Sequence, residues 1–332
     1  MAAISEHLEL RAGLLAVDLA PDIGGSIARF RIDGIDVMRP LSDANRGAGN
    51  VLGVASFPMI PFANRIGSNA FTFEGRRNDF AANNPPEIYH VHGTAWHRPW
   101  SAEQAGPGSA VLTLEVADPS SYSYRAEQRF ILTDTGLELI TRVSNTGERR
   151  MPFGFGHHPW FDRDADTTLQ FGATSFHLNE PEGMIGQRVS LPPEVSFNTA
   201  APLPIYWRCS DYGGWDGSAT LRFPGRGAGI TMKGDTPYKH VMFYADPALN
   251  VFCVEPQTNA SGAFNRPEGF GDREDGVIVL APGESTEGTR TRAKRWKERE
   301  EGESSGRKKD EARAKGGEEQ GRSGRSSGDG PP

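Results

Sequence analysis

The stretch YRAEQRFILT (Tyr124–Thr133), DTG (Asp134–Gly136) and LELITRVS (Leu137–Ser144) decides the fold class. Apolar and polar residues alternate with period two on both sides of a short Asp- and Gly-containing turn. This pattern predicts two antiparallel strands with one buried face. The same arrangement recurs on a smaller scale at Phe30 and Ile32, Asp33-Gly34, then Ile35 and Val37, where Asp-Gly accepts the positive φ of a tight turn. Further strands are predicted at Phe71–Phe73, Val111–Val116, Ala219–Phe223, Val241–Tyr244, Val251–Val254 and Val277–Leu280. Before the C-terminal region no stretch repeats apolar residues at i, i+3, i+4 and i+7, so long helices are not expected. The expectation is an all-β chain, a large antiparallel sandwich or barrel whose strand order cannot be read.

Composition agrees. The 332 residues are 36% hydrophobic, enough for one large core, and the 40 glycines and 24 prolines favour many short elements joined by turns. A net charge of −7 argues against nucleic acid or an anionic membrane as the main partner. The two cysteines, Cys209 and Cys253, form neither a disulfide framework nor a CxxC pair. The N-terminus has no basic and apolar leader pattern, and no segment approaches a membrane span, so a cytoplasmic location is expected. One domain is predicted over 1–290. From 291 to 332 the composition shifts to Lys, Arg, Glu, Gly and Ser, which predicts a charged, disordered tail.

Four clusters place titratable or rigid residues where a purely structural sheet has no use for them: Asn64-Arg65, Tyr89–Trp96, Gly156–Phe161 and Val254–Thr258. The apolar run Val251–Val254 reads as a strand buried on both faces that delivers Glu255 at its end, with Pro256 expected to stop it. The carboxylate there is either a rim group paired with an arginine or a pocketed acid with raised proton affinity. His158 precedes Pro159, which holds it extended, and Trp160 and Phe161 supply an aromatic wall suited to the apolar face of a sugar ring. His157 and His158 cannot both face the same side of a strand. His92-Gly93, with Trp96 and Trp100 after it, places a histidine at a point of close backbone approach, and Arg65 offers a fork of donors.

The combination resembles the aldose 1-epimerase (galactose mutarotase) family. The resemblance rests on Asn64-Arg65-Ile66-Gly67, Phe71–Gly75, His92-Gly93 with Trp96 and Trp100, His158–Phe161 and Glu255–Thr258, in order, and spans Leu10 to Glu284. It implies a β-supersandwich and interconversion of the α and β anomers of an aldose. By the same resemblance Glu255 is the general base, His158 the general acid and His92 a second histidine at the ring-oxygen side. Arg65, Asn64 and Trp160 line the sugar. Family members carry a substrate-binding Asp near the position of Cys209; either the loop is shortened and Asp211 serves as the substrate-binding residue, or that contact is missing. Ring opening needs one proton removed from the C1 hydroxyl and one delivered to the ring oxygen, which requires no cofactor and no metal.

Other readings of the same residues are a hexose-6-phosphate substrate met by Arg98 or Arg266, and a sugar-binding protein without catalysis. Further alternatives are a cupin-like metal site at His90 and His92 with His157 or His158, and a glycosidase dyad of Glu255 with Asp246. The oligomeric state cannot be read.

Overall fold

The computed structural model describes residues 8–180, 184–266, 270 and 274–291. The predicted tail lies outside these residues except for Thr291, which ends the strand Ser285–Thr291 and pairs with Glu138. Among the described residues the strands form two large sheets of 11 and nine strands, with three two-stranded ribbons beside them. Every strand pair is antiparallel. The all-β expectation holds. The helical content is a five-residue turn, Asp43–Gly47, capped by the Ser42 hydroxyl, plus short 3-10 turns.

The quoted hairpin forms as read, Tyr124–Thr133 against Gly136–Asn145, and its burial alternates along both strands. At the smaller hairpin Asp33 and Gly34 both take positive φ, +52° and +78°, the two-residue turn that matches strand twist.

The 11-stranded sheet carries the candidate residues His158, Glu255 and Asp211. From Ser56–Met59 out to one edge its strands lie in the order Ser56–Met59, Gly156–Asp162, Val251–Gln257, His240–Asp246, Arg208–Gly213, Ser175–Asn179 and Ile185–Ser190. One face of this sheet packs on the nine-stranded sheet. Phe161 and Phe252 stack at 5.2 Å, and Phe223 of the other sheet meets Phe252 at 6.4 Å. Because side chains alternate along a strand, the residues between these phenylalanines are forced onto the opposite face.

Val251–Val254 is buried on both faces, as its apolar run predicts, but the strand continues through Pro256 to Gln257. The reason lies in the pairing. The ladder to His240–Asp246 is unbroken over all seven residues. On the other side the recorded pairs stop between Gly156↔Gln257 and Trp160↔Cys253, where Pro159 and Pro256 both lack a backbone donor. Proline interrupts one ladder and leaves the other intact, so Glu255 sits inside a strand rather than at its tip.

Candidate active site

Directly opposed residues of antiparallel strands project from the same face. Phe57 opposes His158, the flanking register sets His158 against Glu255, Glu255 opposes Met242, and Met242 opposes Asp211. The result is a row of side chains across five strands on the face turned away from the core. His158 Nε2 lies 3.3 Å from Glu255 Oε1. The His158 ring is held between Phe57 at 4.6 Å and Trp160 at 4.8 Å, both stacked. Arg39 covers Trp160 at 4.4 Å, and Tyr244 meets its edge at 5.8 Å. His157, one residue away, points into the core and pairs with Thr141 Oγ1 at 2.8 Å.

His92 arrives from a loop that runs over this row. Its backbone N–H donates to the Asn64 carbonyl at 3.0 Å, and the Asn64 N–H donates to His92 Nδ1 at 3.2 Å. Asn64 and His92 both sit in the left-handed region, at φ +63° and +59°, a strained conformation that this reciprocal pair maintains. Since Nδ1 accepts, the neutral ring carries its proton on Nε2. The close backbone approach expected here belongs to Gly93: a Cβ on it would stand 2.3 Å from the Ile60 oxygen. His92 meets His158 edge to face at 5.3 Å. Asn64 Nδ2 donates to Gln257 Oε1 at 3.1 Å, tying the loop to the Glu255 strand. Arg65 donates through Nε and Nη2 to Glu87 Oε2 at 2.9 and 2.6 Å.

Burial dominates the electrostatics. Glu255 is 2% exposed, and desolvation raises its pKa well above the ordinary carboxyl value, with Arg65 pulling it down and Asp211 pushing it up. Desolvation, reinforced by the charge of Arg39, lowers His158 to about 3. Desolvation and the neighbouring His158 and Arg65 push His92 far down as well. Burial thus pushes each group of the cluster toward its neutral form, the carboxyl upward and the two imidazoles downward.

The model of the family described as Aldose 1-epimerase matches residues 6–291. This chain belongs to that family. YphB of Escherichia coli K12, itself uncharacterized, is 34% identical over 285 residues, covering 83% of this chain and 94% of YphB. A crystal structure of a candidate aldose 1-epimerase from Escherichia coli K12 superposes with a TM-score of 0.79 at 32% identity, over 87% of this chain and 98% of that one. A galactose mutarotase-like protein from Clostridium acetobutylicum shares the fold, with a TM-score of 0.75 at 17% identity over 87% and 94% of the two chains.

Within this aldose 1-epimerase family chain the fold gathers Glu255, His158, His92 and Trp160 into one cluster, with Asn64 and Arg65 on the loop above it. Asp211 lies in the same row, two strands beyond Glu255, but is fully buried. Its Oδ2 accepts the Ser261 N–H at 2.6 Å, and its Oδ1 faces His240 Nδ1 at 3.3 Å. Burial opposes its ionisation, yet His240, His177 and the Ser261 N–H hold its carboxyl below the ordinary value. Residues that the sequence did not single out are Phe57, Arg39, Tyr244, His177 and His240. The last two share strand parity with Asp211 and Met242 across the sheet, a signal that appears only once strand order is known. His90 and His92 do not form a joint site, since His90 Nδ1 is taken by the Ala81 carbonyl at 2.7 Å. Among the described residues, the groups close enough to hold an ion are His158–Cys253–Glu255 and His177–Asp211–His240.

Proposed function

We propose that the chain is a mutarotase that interconverts the α and β anomers of a free aldohexose by acid–base ring opening and closure. The observation that carries this reading is the facing of Glu255 and His158 at 3.3 Å against an aromatic wall, with His92 beside them. Ring opening takes the proton of the C1 hydroxyl onto Glu255 as His158 delivers one to the ring oxygen. The pair keeps a single proton throughout and passes from imidazolium and carboxylate to imidazole and carboxylic acid. The second of these forms is the one burial favours, so desolvation pulls the pair toward the open-chain side. Arg65, which lowers the proton affinity of Glu255, favours the ionised form needed at the start. Rotation about C1–C2 and reversal of the two transfers close the other anomer.

His92 acts in this scheme as a neutral Nε2–H donor and need not titrate, because the Asn64 N–H occupies its Nδ1. Trp160 offers its face to the apolar side of the ring. Of the two cations considered for a phosphorylated hexose, Arg266 is held bidentately by Asp275 at 2.8 and 2.9 Å, which favours an uncharged sugar.

The test is polarimetry on freshly dissolved α-glucose and α-galactose. The wild type should accelerate mutarotation, and Glu255→Gln should cut that rate by at least about 10²-fold, the lower end for a positioned proton-transfer group. A variant as fast as the wild type removes Glu255 from its role. Sugar binding without acceleration makes the chain a binding protein.

A further inference from the structure

Beyond the catalytic pair the row of side chains continues. Asp211 stands between His177 on the next strand and His240 on the preceding one, all three at most 1% exposed. His240 Nε2 lies 2.7 Å from the Glu274 carbonyl, an acceptor, so Nε2 carries the proton and Nδ1 presents a lone pair. That lone pair faces Asp211 Oδ1 at 3.3 Å, and His177 Nδ1 approaches Asp211 Oδ2 at 3.9 Å. Among the described residues neither His177 ring nitrogen has a hydrogen-bond partner, and the same holds for Asp211 Oδ1, His240 Nδ1 and the buried Ser261 hydroxyl. Buried polar atoms are nearly always satisfied, and here several bare ones converge on one point.

A proton shared by His240 and Asp211 joins two of these lone pairs and leaves His177 without a partner. A cation joins all three. We propose that His177, Asp211 and His240 form a zinc site, distinct from the catalytic pair, with the Ser261 hydroxyl beside it. The three ligand atoms lie within 4.8 Å of one another. The 3.3 Å edge between His240 and Asp211 matches the ligand–ligand distance of about 3.4 Å that tetrahedral bonds of ~2.0–2.1 Å produce. Two imidazoles and one carboxylate suit zinc, and three protein ligands leave a fourth position open. The other charges near His177 are Arg266, Asp275 and, on the paired strand, Arg188: Asp275 holds Arg266 bidentately, and Arg188 lies 2.8 Å from Glu274 and 3.9 Å from Asp275. A cleft of about 460 Å³ is lined by Arg188, Gly262, Arg266 and Asp275, of which Gly262 follows Ser261 in the chain and Arg188 pairs with His177 across the strands. Bound by the three ligands, the metal pins three strands and the Ser261 segment two strands from Glu255.

Equilibrium dialysis of the untagged full chain against buffered Zn²⁺, read by elemental analysis, tests this. About one zinc per chain is expected in the wild type and in Glu255→Gln, with binding weakened at least about tenfold in His177→Leu, the loss typical even of outer-shell partners. Co²⁺ in the wild type should give the visible bands of a tetrahedral nitrogen–oxygen site, a readout independent of how the variant folds. A wild type that takes up neither metal overturns the proposal. So does zinc that survives His177→Leu and vanishes with Glu255→Gln, which assigns it to the catalytic pair. Mutarotation of the zinc-free wild type is scored separately, so the two proposals can fail independently.

Discussion

Glu255 and His158 carry opposite shifts across one 3.3 Å contact, and together these set how stability depends on pH. His158 falls from 6.5 unfolded to about 3 folded, so alone it makes the protein more stable as pH rises through that window. Glu255 rises from 4.5 to well above it, so alone it makes the protein less stable as pH rises past 4.5. Above pH 4.5 and below both 6.5 and the raised folded value of Glu255, the unfolded pair binds one proton, on the histidine, and the folded pair binds one, on the glutamate. The two slopes cancel there. Glu255→Gln deletes one of them. Relative to wild type, the variant should gain stability with pH across this interval by up to about 1.4 kcal/mol per unit. Urea midpoints at several pH values check it, and parallel curves for the two proteins would refute the assigned shifts. At this scale the sequence was informative about identity and less so about position. It named Glu255 and separated His157 from His158, but placed Glu255 at a strand end, because the effect of a proline depends on which neighbour its missing N–H would have faced.

Strands and turns show the same division. Period-two alternation and the Asp-Gly signal sufficed for the hairpins, since both depend on neighbours in sequence. The pairing of Arg65–Ile66 with His90–Val91, which suspends His92 over the sheet, rests on a distant contact that no local pattern announces. Two glycines separate local from distant constraint. Gly34 has φ +78° with open space around its Cβ position, whereas Gly93 has φ +67° and the Ile60 carbonyl oxygen at 2.3 Å. Alanine at Gly34 should cost about 1 kcal/mol, the backbone penalty alone. Alanine at Gly93 adds a clash with backbone that cannot step aside, and should cost about 2–4 kcal/mol and displace His92. Thermal melts of the two variants measure the difference, and mutarotation should fall only in Gly93→Ala. Equal melts would mean that the His92 loop yields freely.

Across the whole molecule, the fold class could be read from the sequence but strand order could not, and strand order is what builds the site. His158, Glu255, Met242 and Asp211 come from four strands that are neighbours in space and scattered in sequence. The resemblance supplied residues for the roles, while the continuation of the row to His177 and His240 needed the sheet itself. Because the proposed site lies on the outer face of the same strands whose inner face forms the core, its integrity should follow the core's. Phe252 tests this, since it is fully buried against Phe161 and Phe223 and points away from Glu255. Phe252→Ala should destabilise the protein by about 3–5 kcal/mol while leaving mutarotation near wild type in buffer. In urea, the loss of activity and the loss of β-sheet circular dichroism should move to lower concentration together. Activity that fails well before the sheet melts would mean that the His92 loop opens as a unit of its own, and that the proposed catalytic cluster depends on the loop more than on the sheet beneath it.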